Sequence, residues 1–252
     1  MNYFLILPNQ IFDKKYLDKS YNFIIYEHPH YFDSYKYNKK KLILHYSSLN
    51  YYFDYLKKYN FKVSYLKKEE KFKLKNYTLF DPIDKIKLTG NYNLLDSPNF
   101  LLNSELINNY RDKTKSFFFH YFFNWCKKEL DIIPNIESKD KENRKKLPKG
   151  IIVPQIPKLV SNNEEKYIKS AKKKVEKNYK NNYGNTDNFN FPISHSNAKK
   201  NFNDFIKKRF ENFGPYEDAI STTEDYIFHS MLSSSLNIGL INPSEIIEVV
   251  LN

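Results

Sequence analysis

A cluster of hydroxyls late in the sequence is the first candidate for chemistry. From Phe213 to Asn242 the chain reads F-G-P-Y-E-D-A-I-S-T-T-E-D-Y-I-F-H-S-M-L-S-S-S-L-N-I-G-L-I-N. Ser230, Ser233, Ser234 and Ser235 stand there among Phe228, Leu232, Leu236, Ile238 and Leu240. Positions 228, 232 and 236 recur at the spacing of one helix face. Serines at the start of such a helix lie where the first backbone N–H groups have no intrahelical partner. Free amides, hydroxyl donors and the positive dipole end together suit a phosphate. Serine is also a common plain cap of a buried helix, and that reading stands beside the first. Gly214-Pro215 upstream is a turn signal, and Tyr216 follows it directly.

A second candidate set lies near the N terminus. Asn9 and Gln10 follow the apolar run Tyr3–Leu7, and Glu27, His28 and His30 follow Phe23–Tyr26. In a parallel sheet both loops fall outside the carboxyl ends of strands, where ligands bind. The alternative is an ordinary polar loop at Glu27 and His28. His28, His30 and His45 make a poor metal set, because the His-Pro-His pair has no acidic or thiol partner at ligand spacing. The sequence has five glycines and neither a nucleophile elbow nor a glycine-rich phosphate loop. A conventional hydrolase or an NTP-driven enzyme is disfavoured, and no catalytic residue is assigned.

The elements that must position these residues follow from the apolar pattern. Strands are expected at Tyr3–Leu7, Phe23–Tyr26, Lys62–Leu66, Tyr77–Phe80 and Asn93–Leu95, with a helix over Ser47–Tyr59. Strands alternating with helices argue for a parallel sheet with covering helices. Thr114–Leu130 carries Phe117, Phe118, Tyr121, Phe122 and Trp125 at helical spacing and reads as a heavily buried helix. Pro134, Pro148, Pro154 and Pro157, with the charged run Ser138–Lys149, mark a connector. Asn162–Lys180 reads as a charged helix lying on the surface. Phe191–Phe210 reads as a helix after a Ser196 cap, with Phe202, Phe205, Ile206 and Phe210 in one stripe. Lys199, Lys200, Lys207, Lys208 and Arg209 take its other face. The expected division is therefore 1–131, 132–190 and 191–252.

Composition narrows the class. Aromatic residues make up 17% of the chain, with 22 Tyr and 21 Phe. They supply core material despite a mean hydropathy of −0.71, since tyrosine packs as an aromatic. The formal charge of +12 favours a polyanionic partner such as DNA. Cys126 is the single cysteine, which excludes an internal disulfide and a four-cysteine iron–sulfur cluster within these residues. Apolar runs fall short of the roughly 20 residues that span a bilayer. Tyr3–Leu7 lacks the basic flank of a signal peptide. A soluble, intracellular protein without membrane attachment is expected.

Phe213–Ile220 with His229–Pro243 resembles the start of the flavin-binding domain in the photolyase-related family. That branch includes iron–sulfur bacterial photolyases and cryptochromes. L-P-N-Q at Leu7–Gln10, Y-E-H-P-H-Y-F at Tyr26–Phe32, K-K-L-I-L-H-Y-S-S-L at Lys40–Leu49 and K-E-N-R-K-K-L-P-K at Lys141–Lys149 also follow the family pattern. The resemblance implies an α/β fold, a Rossmann-like parallel-sheet antenna domain followed by the first helices of an all-α flavin-binding domain. It implies FAD phosphate contacts at Tyr216, His229, Ser230, Leu232 and Ser233. It also implies a lumazine-type antenna chromophore at Asn9, Gln10 and Glu27, with asparagine standing where the family often has aspartate.

The resemblance covers the N-terminal portion of the family pattern. The expectation is a photolyase- or cryptochrome-like fragment, inactive in light-dependent DNA repair alone, or one half of a split protein completed by a second chain. The alternative is a non-enzymatic nucleotide- or nucleic-acid-binding remnant. DNA binding is expected to run through charge rather than base reading. Affinity for duplex DNA should then fall at least about tenfold between 50 and 200 mM salt and differ little between sequences. Fluorescence anisotropy with two unrelated duplexes checks it, and salt-insensitive or sequence-selective binding contradicts it.

Overall fold

The protein is described by a computed structural model covering residues 2–114 and 116–252. In chain order the first elements are β1 (Tyr3–Ile6), β2 (Asn22–Tyr26), α1 (His30–Asp33), α2 (Lys39–Lys58), β3 (Val63–Leu66), β4 (Asn76–Phe80) and β5 (Asn91–Leu95). Then come α3 (Ser104–Lys113), α4 (Phe119–Glu129), α5 (Glu165–Asn178), α6 (His195–Lys208), α7 (Phe210–Phe213), α8 (Ser233–Ile238) and α9 (Pro243–Leu251). They form two compact units, each discontinuous in sequence. The sheet unit takes in the chain up to Asn99, Pro157–Asp204 and Met231–Asn252. The second unit takes in Phe100–Ile156 and Phe205–Ser230.

All five strands are parallel and lie in the order β3-β2-β1-β4-β5. Phe4 pairs with Phe23 on one side and Thr78 on the other. Phe4, Leu5 and Ile6 are all buried, so the central strand is covered on both faces. That is why it reads as a continuous apolar run rather than an alternating one. β5, at the edge, is exposed along its length. The fold class and all five expected strands are observed, each within two residues of its expected ends.

The helices differ more. α2 starts at Lys39, with the Asn38 side chain accepting from the Lys40 N–H at 2.9 Å, and not at Ser47. Its stretch from Leu42 to Leu49 is buried on every side, so no amphipathic period marks it. α5 is not a helix lying free on the surface. Ile168, Ala171 and Val175 are buried on a face that packs against α2. Three apolar residues at helical spacing are enough to seat a helix whose other positions are charged. α6 begins one residue before Ser196, and the cap is Ser194, whose Oγ accepts from the Asn197 N–H at 3.3 Å.

In the second unit, α4 is not heavily buried. Phe117 is 77% exposed and Phe119 is 75% exposed. Phe122 and Trp125 pack on Tyr110 of α3 at ring separations of 5.0 and 4.8 Å.

α8 spans six residues, under two turns. Phe228 precedes it, and Met231 holds a left-handed φ of +59°. A left-handed residue interrupts a right-handed helix. Positions 228, 232 and 236 therefore do not share one helix face. α8 ends on Gly239 at φ +86°, where a Cβ would stand 2.7 Å from carbons of the Phe12 ring. Beside it the Ile11 N–H donates to the Ile238 carbonyl at 3.0 Å. Both the backbone and the close approach of Phe12 require glycine here. Gly239→Ala should destabilise the protein by about 2 kcal/mol or more, the left-handed penalty plus displacement of Phe12. Urea unfolding measures it, and a change within about 0.5 kcal/mol would contradict this account.

Candidate functional site

The carboxyl ends of β1, β2 and β4 carry the loops that a parallel sheet offers to ligands. A cavity of about 430 Å³ opens there. His30, Tyr31, Tyr35 and Tyr37 give it an aromatic wall, and Lys41, Asp84 and Lys85 give it charge. The polar frame is tightly bonded. The Tyr31 hydroxyl donates to Asp84 Oδ2 at 3.0 Å, and Asn9 Nδ2 reaches the same oxygen at 3.3 Å. The Tyr37 hydroxyl donates to the His30 carbonyl at 2.8 Å. Burial, then the Asp84 charge, pushes the Tyr31 phenol far up, so it stays protonated and donating.

Asn9, Gln10 and Glu27 sit at this edge in different roles. Asn9 braces the cavity through Asp84. Gln10 is buried, its Nε2 donating to the Phe80 carbonyl at 2.6 Å. Asn9 Oδ1 and Gln10 Oε1 are buried acceptors with no hydrogen-bond partner among the described residues. Buried polar atoms in this state are rare and call for a water or ligand. Glu27 is buried and spent on protein partners, with Lys174 Nζ at 3.0 Å and the Tyr65 hydroxyl at 2.9 Å. His28 is spent as well. Its Nδ1 accepts from the His30 N–H at 3.2 Å, so its Nε2 carries the proton and donates to the Lys87 carbonyl at 3.3 Å. Burial holds its pKa below the ordinary imidazole range.

Tyr31, Tyr37, Lys41 and Asp84 escaped the sequence reading. For Asp84 the available signal was position, since Asp81–Lys85 is the loop after β4 and obeys the same strand-end rule as Asn9. His45 entered the sequence reading only as a member of the poor metal set with His28 and His30. It is buried between the rings of Tyr31 and Phe32, at 6.0 and 5.9 Å, with the Pro8 backbone as its polar neighbour.

The candidate flavin residues are divided between the two units, because the boundary falls between Ser230 and Met231. In the second unit the Tyr216 ring packs on Phe228 at 5.7 Å and the His229 ring on Phe213 at 6.1 Å. Ser230 ends that unit's last segment. In the sheet unit Leu232 precedes α8 and Ser233 opens it.

A family model described as deoxyribodipyrimidine photo-lyase-related protein matches residues 4–85 and 72–191, well over half of the 252 residues. The chain belongs to that family, and hence to a photolyase/cryptochrome-like lineage. Among curated proteins it is similar to a (6-4) photolyase of Agrobacterium fabrum (strain C58), at 25% identity over 154 residues. That match covers 58% of this chain and 30% of the photolyase. It is also similar to an uncharacterised protein of Acanthamoeba polyphaga mimivirus, at 29% identity over 192 residues, covering 60% of this chain and 98% of the viral one. Among the described residues no helix is long and apolar enough to cross a membrane.

His45 makes the site edge sensitive to acid. Burial, aided by the Lys41 charge, pushes its pKa down to about 3 from 6.5. Between those values the unfolded chain binds a proton that the folded chain refuses. Stability is therefore fully present above about pH 6.5 and is lost as pH falls towards 3. His45→Phe should shrink the pH slope of unfolding free energy in that window by about 1.4 kcal/mol per pH unit. Urea titrations at pH 4, 5 and 7 test this, and an unchanged slope would mean that His45 is not the acid-labile group.

Proposed function

We propose that the sheet unit holds a planar heterocyclic pigment of the lumazine type in the cavity at the carboxyl ends of β1, β2 and β4. The chain would thereby act as a light-absorbing member of its lineage. What carries this reading is the aromatic cavity at the strand ends, with Asn9 joined to its wall through Asp84. A volume of about 430 Å³ lies within the range of small-molecule sites. Tyrosine rings suit a flat conjugated system. Lys41 and Lys85 suit the electron-rich carbonyls or a polyol chain at the mouth. When bound, such a pigment supplies absorption of near-ultraviolet and blue light. The residues' own work is to orient it and shield it from water. The formal charge of +12 supports DNA as the macromolecule alongside which the pigment works.

Titration of the full chain with 6,7-dimethyl-8-ribityllumazine, followed by quenching of ligand fluorescence, tests the proposal. Saturable binding is expected. Asp84→Ala should weaken it by about tenfold, because Tyr31 and Asn9 lose their shared anchor, a loss worth about 1.5 kcal/mol. Absence of saturation with a folded chain, judged by circular dichroism, would overturn the reading.

A further inference from the structure

A second concavity in the sheet unit has no part in the pigment site. It measures about 320 Å³ and lies among α2, α5 and α6. Tyr51, Tyr55 and Tyr59 follow one another at four-residue steps, which places their rings on one face of the helix. Tyr167 of α5 joins them, edge-on to Tyr51 at 5.4 Å. His195 adds its ring at 5.4 Å from Tyr55. Four phenols and an imidazole around an open cleft are a costly way to fill space. Aliphatic side chains would pack such a seam without polar tips to satisfy.

The polar groups in the cleft have fixed roles. His195 Nε2 lies 2.8 Å from the Ile11 carbonyl, which can only accept, so that nitrogen carries the proton and Nδ1 is an acceptor. Burial keeps the ring neutral by lowering its pKa. The Asp54 carboxylate accepts from the Tyr167 hydroxyl at 2.6 Å through Oδ2, which leaves Oδ1 for another donor. Burial, then the Asp13 charge, pushes the Tyr55 phenol up to about 12, and burial also raises Tyr51 and Tyr167. These three hydroxyls are donors at neutral pH. Cations stand at the mouth. Lys58 lines the cleft, and the Lys14 ammonium lies 3.6 Å over the Tyr59 ring.

A ligand that answers all of these features is flat, carries amino or hydroxyl donors, and ends in a negative charge. We propose that this cleft binds a nucleoside 5′-phosphate, either free or as one unit of a single strand. The base stacks on the tyrosines, ribose hydroxyls or an exocyclic amine donate to Asp54, and the phosphate stays at the mouth near Lys58 and Lys14. The volume accommodates a nucleoside and leaves the phosphate outside, where the lysines are. Aromatic platforms with a cationic border are the common means of holding bases without reading their sequence.

Calorimetric titration of the full chain with AMP, adenosine and a ten-nucleotide oligo(dA) tests the assignment. Tyr59 is 36% exposed, so its replacement spares the core. Tyr59→Ala should weaken AMP about five- to hundredfold, as loss of one stacking ring does, whereas Tyr59→Phe should retain binding. Lys58→Glu should weaken AMP towards the affinity of adenosine and leave adenosine itself unchanged. Circular dichroism and melting curves establish that the variants fold. Binding of oligo(dA) without AMP, with the same sensitivity to Tyr59→Ala, supports the site and identifies a strand as its source. No saturation by any of the three ligands at millimolar concentration, or binding indifferent to both Tyr59→Ala and Lys58→Glu, overturns it.

Discussion

One buried carboxylate ties the sheet unit together. Glu27, at the carboxyl end of β2, is 2% exposed, and a charge in that position is tolerated only if it is paired and hydrogen-bonded. Its partners come from two other elements, Lys174 of α5 and Tyr65 of β3. Lys174 also lies 3.8 Å over the Tyr46 ring of α2. From Tyr46 the network continues through its hydroxyl to Tyr179 at 2.8 Å and from Tyr179 to Asp33 at 3.3 Å. Lys68 closes on Asp33 at 2.8 Å. Loss of Lys174 would leave the Glu27 carboxylate charged and buried, which costs far more than the pair contributes. The sheet edge, α1 and the α2–α5 seam are therefore fixed relative to one another by a single connected set of polar contacts.

That set explains why α2 serves as the frame of the unit. It packs against both β3 and α5. Its N-terminal turn supplies Lys41 to the strand-end cavity, and its C-terminal turns supply Tyr51, Tyr55 and Lys58 to the second cleft. Lys41 and Lys58 are 58 − 41 = 17 residues apart, about 25 Å along a helix. Two ligands could occupy the unit together without touching, and one continuous helix would lie under both.

The two units differ in how they use aromatic residues. In the sheet unit many rings are interior: Phe4, Phe12, Phe23, Phe32, Tyr46 and Tyr52 are all buried. Several make edge or stacked contacts, such as Phe32 with Tyr46 at 4.5 Å. In the second unit Phe117 and Phe118, just before α4, and Phe119 and Tyr121 on it are exposed. Similar side chains have opposite surroundings. Aromatic content alone does not say which.

The inner strands were legible because a parallel sheet buried on both faces demands short unbroken apolar runs, and Tyr3–Ile6 and Phe23–Tyr26 are such runs. The family, too, was legible from ordered local motifs. The first half of α2 was not, because burial on all sides erases the period by which a helix is recognised. The face of α5 rested on Ile168, Ala171 and Val175, three residues whose meaning depended on α2 being there to receive them. At the strand ends, local sequence pointed to the loops of Asn9, Gln10 and Glu27. Only the fold determined that Asn9 braces the cavity, that Gln10 keeps an unspent oxygen, and that Glu27 is consumed by a lysine 147 positions away. The second cleft draws on Tyr51, Tyr167 and His195, residues far apart in the chain. Side-chain identity is written in the sequence, but partnership is a matter of distance in space, and packing alone sets that distance.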